Sequence, residues 1–457
     1  MFLTAHRALI DDAYITIDYA RNLAQHGQLA LELGHQSNTA TSPLNVLLLT
    51  GLILLSGAPV ISVGILLIAS LAAIGAALSV TCARLGCSRW LAAVAVSLLV
   101  VNPLLVSTIG LETYLGLALV AALGSAVVAR RPVAAGVVCG LLVLTRADLA
   151  AFALAALIAV AGSSPAGTRA RRCAQVLGVS SVVAIPWFAA SWWWLGSAVP
   201  DTLLFKVSEV WVGNSFAVGL WYYELGFPLA VGLSVLPAAA GLIVLVVWSA
   251  SRARLVGGPV GLLAVVWGLG AILHITVYLL LDPPPYHWYY GPALGALIML
   301  TVLGMGRPSF RLQWTVSTLG ALLIATTAGF LAARSWAVMP ISSNWASASE
   351  YAALAARVPS GATVATFGEV GTVAYFCDCT VVDRLSDRAQ VVDLLRAKRS
   401  AAGPVLRTLL DWNYLRLKVD PPIHAVYRFA FAEDPTGIHA TTSWRAYAGQ
   451  MVIRPVN

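Results

Sequence analysis

The sequence predicts a polytopic α-helical membrane protein of about ten transmembrane helices, followed by a C-terminal extracytoplasmic α/β domain. Three observations predict it. Of the 457 residues, 59% are hydrophobic and only 11% charged, where soluble domains carry about 25% charged residues. Mean hydropathy over the whole length is +0.82, more than any soluble core requires. Charge is also concentrated at one end: residues 340–457 hold 12 Lys/Arg and 10 Asp/Glu. These facts exclude a cytosolic enzyme and a disulfide-stapled secreted domain. The formal net charge of +8 does not point to nucleic acid, because the basic residues alternate with apolar runs, as topology signals do. Three regions follow: residues 1–58 as an outer loop with interfacial helices, 59–335 as the transmembrane body, and 336–457 as the extracytoplasmic domain.

A spanning helix needs roughly 17–25 apolar residues. The runs that qualify are 59–82, 90–107, 111–129, 174–195, 227–249, 257–281, 288–305 and 313–333, with a shorter pair at 132–145 and 148–163. Residues 43–57 are apolar but end in Ser56, Gly57 and Pro59, which suits a helix lying against the membrane. Eleven arginines then fall on one side of the trace: Arg84, Arg89, Arg130, Arg131, Arg169, Arg171, Arg172, Arg252, Arg254, Arg307 and Arg311. By the positive-inside rule that side faces the cytoplasm. The acids Asp11, Asp12, Asp18, Glu32, Glu112, Asp148, Asp201, Glu209, Glu224 and Asp282 fall on or near the opposite side. Trp192, Trp193 and Trp194, and Tyr289 and Tyr290, sit at outer helix ends as interfacial aromatics do. The trace leaves Met1 outside with no helix before it, and the reading favoured is that a first helix precedes this start.

The last region reads as mixed α/β. Helices are expected over 348–358, 388–400 and 403–410. Strands are expected at 362–367 and 380–383, and more weakly near 424–432 and 451–454, with a short helix or strand at 372–377 after the turn at 368–371. Cys377 and Cys379 are the one pair on the outer side. Read as part of a strand, such a close pair makes a strained disulfide at best, and it is expected to remain unbridged.

Four places could carry chemistry. The stretch Asp11–Asn22 opens with two adjacent carboxylates, which raise one another's proton affinity and favour a proton-accepting role. The structural alternative is that one of them caps a helix from Ala13 to His26. Glu112 lies at the outer mouth of a helix. Arg146 and Asp148 form a charged cluster between the two short helices, either a functional pair at membrane depth or a structural ion pair. The loop from Asp282 to Tyr290, with Tyr286, His287 and Trp288, is dense in aromatics that could stack on a sugar or prenyl chain, or form an interfacial belt. No metal-ligand spacing occurs, and no metal or cofactor is expected.

Together these segments resemble a known family. DDAYITIDYARN, then TSPL at 41–44, GLET at 110–113, LTRAD at 144–148 and ATVA…VVD within 362–383 are similar to the motifs of the GT-C glycosyltransferase superfamily, nearest the branch of the mycobacterial terminal arabinofuranosyltransferases. The resemblance covers most of the chain. It departs in lacking a first helix before the acidic loop, in Ala147 where proline is commoner, and in GHQSNTA at 34–40.

The resemblance implies an inverting transfer of one sugar, arabinofuranose or mannose, from a polyprenyl-phosphate donor to a cell-envelope glycan, lipid or protein at the outer face of the plasma membrane. It implies Asp12 as the base, with Asp11 as alternate and positioning carboxylate. Arg146 and His287, then Lys206 and Arg21, are the expected cations for the leaving phosphate. Glu112 and Asp148 are expected to hold donor hydroxyls or to orient Arg146, and Tyr286 to bind the donor. Two other classes stay open: a flippase or transporter of lipid-linked sugar, which would want polar groups at helix centres where only His274 stands, and a non-catalytic membrane scaffold.

Overall fold

A computed structural model describes residues 1–209, 211, 214–250, 258–306, 312–332, 338–366, 368–419, 421–444 and 449–456. The chain is a polytopic helical membrane protein with a small C-terminal sheet. Five helices are long and apolar enough to cross a membrane: Pro59–Leu85, Ala166–Leu195, Pro228–Trp248, Pro259–Leu281 and Gln313–Leu331. Six shorter apolar helices accompany them, at Pro43–Ser56, Trp90–Val101, Thr113–Val128, Pro132–Thr145, Ala147–Ser163 and Gly291–Met305. Arg252, Arg254, Arg307, Arg311 and the expected boundary at 335–336 lie outside the described residues.

The chain divides into two compact units. One comprises Met1, Leu66–Ala184 and Val212–Arg334; the other comprises Phe2–Ile65, Ile185–Trp211 and Ser335–Asn457. In the first, helix ends follow local chemistry. The run expected over 90–107 stops at Val101, because Asn102 is extended and its side chain accepts the Leu105 N–H, capping a four-residue helix that starts at Pro103. The Asn102 amide also donates to the Ser234 carbonyl, tying two helices together. Glycines let helices approach closely. A Cβ on Gly124 would lie 2.6 Å from Nε1 of Trp267, whose indole donates to the Val120 carbonyl.

In the second unit the helix Asp11–His26 ends at Gly27 and the helix Pro43–Ser56 at Gly57, both glycines at φ +68°, the left-handed conformation that glycine adopts without steric cost. The sheet has five strands: β1 (Thr363–Ala365), β2 (Thr380–Val382), β3 (Tyr427–Ala432), β4 (Ile438–His439) and β5 (Gln450–Pro455), in the order β2-β1-β3-β5-β4. β1 is parallel to β2 and β3; β5 is antiparallel to β3 and β4. Helices Ala348–Ala355, Gly371–Phe376, Ala389–Ala401 and Pro404–Asn413 complete it. The first begins with a capping box between Ser347 and Glu350.

Two expectations need correcting. Cys377 and Cys379 are joined by a disulfide. They lie in the turn between the helix Gly371–Phe376 and β2, not inside a strand, so their side chains are free to meet. Neither Asp11 nor Asp12 caps a helix: Ile10 is the N-cap residue, and both carboxylates belong to the first helical turn.

Candidate functional site

The helix Asp11–His26 carries the acidic motif, and its two leading carboxylates have opposite settings. Asp11 is only 5% exposed. Its Oδ1 accepts the backbone N–H of Thr372 at 2.7 Å and its Oδ2 that of Val370 at 3.1 Å. Burial lifts its pKa to about 6, with the Thr372 N–H holding the rise in check. Asp12 keeps a side chain 28% exposed, and the Lys206 ammonium lies 3.9 Å from its Oδ2. Asp12 is therefore the carboxylate of the pair open to an incoming group.

The same helix continues into a buried polar layer. Asp18 is fully buried, with Arg21 2.7 Å from its Oδ1. Arg21 also donates to the Tyr375 carbonyl and lies over the Tyr375 ring, 5.0 Å from its centroid. Arg21 is thus committed to holding this helix against the Gly371–Phe376 segment. Glu32 is buried as well, and desolvation raises its carboxyl to about 8. Tyr19 bonds Ser37 and Thr39, and Asn22 donates to the carbonyls of Ala30 and Leu31. These contacts fix the 28–40 loop. The unit also holds the buried ion pair of Arg388 with Asp201, at 2.9 Å; Ser197 accepts from Arg388 at 2.8 Å.

The helical unit holds the second group. Arg146 follows the last residue of the helix Pro132–Thr145 in extended conformation, which turns its side chain away from the helix axis. Its Nε donates to Asp148 at 2.8 Å, Nη1 to Glu112 at 2.7 Å and Nη2 to the Tyr278 hydroxyl at 2.6 Å. The guanidinium also lies 5.3 Å from the Tyr289 ring centroid. Of the two expected roles for Glu112 and Asp148, the contacts present are those that orient Arg146. Two carboxylates around one guanidinium leave no surplus positive charge. His274 is packed within this group, its Nδ1 3.5 Å from Asp148 and its Nε2 3.1 Å from the Tyr289 carbonyl. Tyr278 and His274 had no signal in the sequence beyond being polar in an apolar run.

The loop Asp282–Tyr290 does not present an open aromatic platform. Tyr286, Trp288, Tyr289 and Tyr290 are all buried. Tyr286 stacks on Trp288, Tyr289 on Tyr278, and Tyr290 on Phe216. His287 is fully buried, and since its Nε2 bonds the Ser107 carbonyl at 3.2 Å, that nitrogen carries the proton. Desolvation lowers its pKa to about 4. A neutral, enclosed imidazole does not supply the phosphate cation expected of His287; it helps fix the loop instead. Among the described residues, no group of three or more His, Cys, Asp or Glu side chains is placed to hold a metal ion.

No protein-family model matches the sequence, and no curated protein matches it either. Solved structures do match. The chain is similar to ArnT from Cupriavidus metallidurans, both in the apo state (TM-score 0.60) and bound to undecaprenyl phosphate (TM-score 0.61). Identity is 14% in each case, over 99% of this chain and 95% of the other. A lower likeness, at TM-score 0.49 and 16% identity, covers 94% of this chain and 34% of the arabinofuranosyltransferase AftD from mycobacteria. The chain has an ArnT-like fold.

Proposed function

We propose that this protein is a membrane glycosyltransferase that takes a single sugar from a polyprenyl-phosphate donor and passes it to an envelope glycan, lipid or protein at the outer face of the plasma membrane. The observation that carries the reading is the division of labour between Asp11 and Asp12: one carboxylate is anchored by two backbone N–H groups, and its neighbour is only half-buried, beside a lysine. The ArnT-like fold, in a protein whose relative holds undecaprenyl phosphate, supports a lipid-linked donor. The bridged pair Cys377–Cys379 supports an oxidising, extracytoplasmic setting for the C-terminal residues.

In this mechanism the Asp12 carboxylate removes the proton from an acceptor hydroxyl as that oxygen attacks the anomeric carbon. The bond from the anomeric carbon to the phosphate oxygen breaks on the opposite face, and its electron pair leaves with the lipid phosphate. One displacement inverts the anomeric configuration. Lys206 is the cation for the departing phosphate, and Asp11 positions the helix turn that bears Asp12. Arg146, held by Glu112, Asp148 and Tyr278, acts by ordering its own helices.

The test is transfer of labelled sugar by membranes expressing the chain, with polyprenyl-phosphate arabinofuranose and mannose offered in parallel. Transfer from one donor that falls by about 10²–10⁴ in Asp12→Asn, the usual worth of a general base, supports the reading and identifies the sugar. Transfer by Asp12→Asn at the native rate would remove Asp12 as the base.

A further inference from the structure

Three of the loop arginines line a pocket. Arg130, Arg131 and Arg172 line this shallow pocket, which is open to solvent, together with Pro132, Val160 and Ser164. Among the described residues no carboxylate lines it. Two helices of ordinary length begin at its wall, Pro132–Thr145 and, two residues beyond Ser164, Ala166–Ala190. Their N-terminal ends add to the positive potential. Two helices also end beside it, Thr113–Val128 and Ala150–Ser163; of their last carbonyls, those of Ser125, Val127 and Ala126 accept the N–H groups of Ala129, Arg130 and Arg131, and that of Ser163 accepts the Arg130 guanidinium.

Two further observations make this a built site and not a chance cluster. Ser164 is 5% exposed, and its hydroxyl has no hydrogen-bond partner among the described residues. A buried hydroxyl is normally paired, and Ser164 lines the same pocket as the arginines. Arg130 is held at φ +58°, a left-handed conformation uncommon outside glycine, with its guanidinium donating to the Ser163 carbonyl. The backbone bend thus delivers Arg130 to the pocket wall.

We propose that this pocket binds a phosphate-bearing anion, with Arg131 and Arg172 pairing its oxygens and the Ser164 hydroxyl donating the remaining hydrogen bond. On the reading that puts the arginine loops at the cytoplasm, the headgroup of an anionic phospholipid and a free phosphate are both within reach, and basic pockets between transmembrane helices on that side suit such headgroups. Val160 and Pro132 would lie along the apolar part of a lipid.

The experiment uses the purified full chain in detergent. Phosphatidylglycerol is titrated against phosphatidylcholine in one arm and inorganic phosphate against chloride at equal ionic strength in the other, with bound lipid read by native mass spectrometry and stabilisation by thermal unfolding. Saturable binding is expected, weakened at least fivefold in R131Q/R172Q and about threefold in Ser164→Ala, which alters no charge. R84Q/R89Q removes two arginines of the same side that do not line the pocket, and binding should survive it. Response to the lipid alone identifies a headgroup site; response to inorganic phosphate as well identifies a general phosphate site. No saturable response to either probe, or equal weakening in R84Q/R89Q, or an unchanged affinity in Ser164→Ala together with R131Q/R172Q, would overturn the proposal.

Discussion

Gly371 lies against the backbone of Asp11. A Cβ built there would meet the Asp11 carbonyl oxygen and sit 2.5 Å from the Ile15 nitrogen, while the N–H groups on either side of Gly371 bond the Asp11 carboxylate. Close approach and carboxylate anchoring are therefore one device. Gly371→Ala should destabilise the unit by about 1–3 kcal/mol, as overpacking against rigid backbone does. Asp11→Asn keeps only one acceptor oxygen for two donors and should cost about 1–3 kcal/mol through the unpaired N–H. Asp12→Asn, which loses no such contact, should unfold at the native temperature. Thermal unfolding of the three variants in detergent checks this; an Asp12→Asn variant as unstable as Asp11→Asn would contradict the division between the two carboxylates.

Lys206 lies 3.9 Å from Asp12 at the end of the short helix Asp201–Lys206. As the cation for a leaving phosphate it should matter more to the transition state than to folding. Lys206→Met should lower kcat/KM for the lipid-linked donor by on the order of tenfold or more, chiefly in kcat, and Lys206→Arg should recover part of the loss. Equal turnover by Lys206→Met and native protein would exclude the assignment.

Arg146 satisfies two buried carboxylates and one phenol in the helical unit. Removing one partner of a buried charge group strands the others, at a typical cost of about 3–5 kcal/mol. Arg146→Met should therefore fail to accumulate or should unfold well below the native protein. The triple change R146M/E112Q/D148N, which removes the stranded charges as well, should recover much of that loss. Detergent-solubilised yield and unfolding temperature decide it. Recovery of fold without recovery of transfer would return Arg146 to the catalytic machinery.

The spans were legible because apolar length is a property of the sequence alone, and most helix ends fell near proline or glycine: Pro43, Pro59, Pro132, Pro228 and Pro259 each stand at a helix start. The strands β1, β2, β3 and β5 fell within their expected segments or one residue beyond them, whereas the two residues of β4 carry too short a pattern to be noticed. Arg146 and Asp148 could be paired because they are neighbours in sequence. Asp11 could not be paired with Thr372, nor Arg388 with Asp201, since nothing local links residues separated by 361 and 187 positions. His287 shows the same limit. Its charge depends on enclosure by Ser107, Tyr223 and Trp288, and enclosure is a tertiary fact that residue type does not disclose.

Glu32 leads to a prediction in pH. Burial raises its pKa from 4.5 to about 8, so the folded protein prefers the protonated acid. For a group shifted upward, the stabilisation is complete below the unfolded value and is lost as pH rises through the folded one. Between about 4.5 and 8 the loss approaches 1.4 kcal/mol per pH unit. Asp11 contributes with the same sign over a lower window that closes at about 6. The native protein should thus unfold at progressively lower temperature as pH is raised from 6 to 8. Glu32→Gln retains the neutral, hydrogen-bonding shape without the ionisation, so its unfolding temperature should fall less over that interval and exceed the native value at pH 8. Parallel curves for the two proteins from pH 6 to 8 would show that Glu32 is not the group whose ionisation opposes the fold.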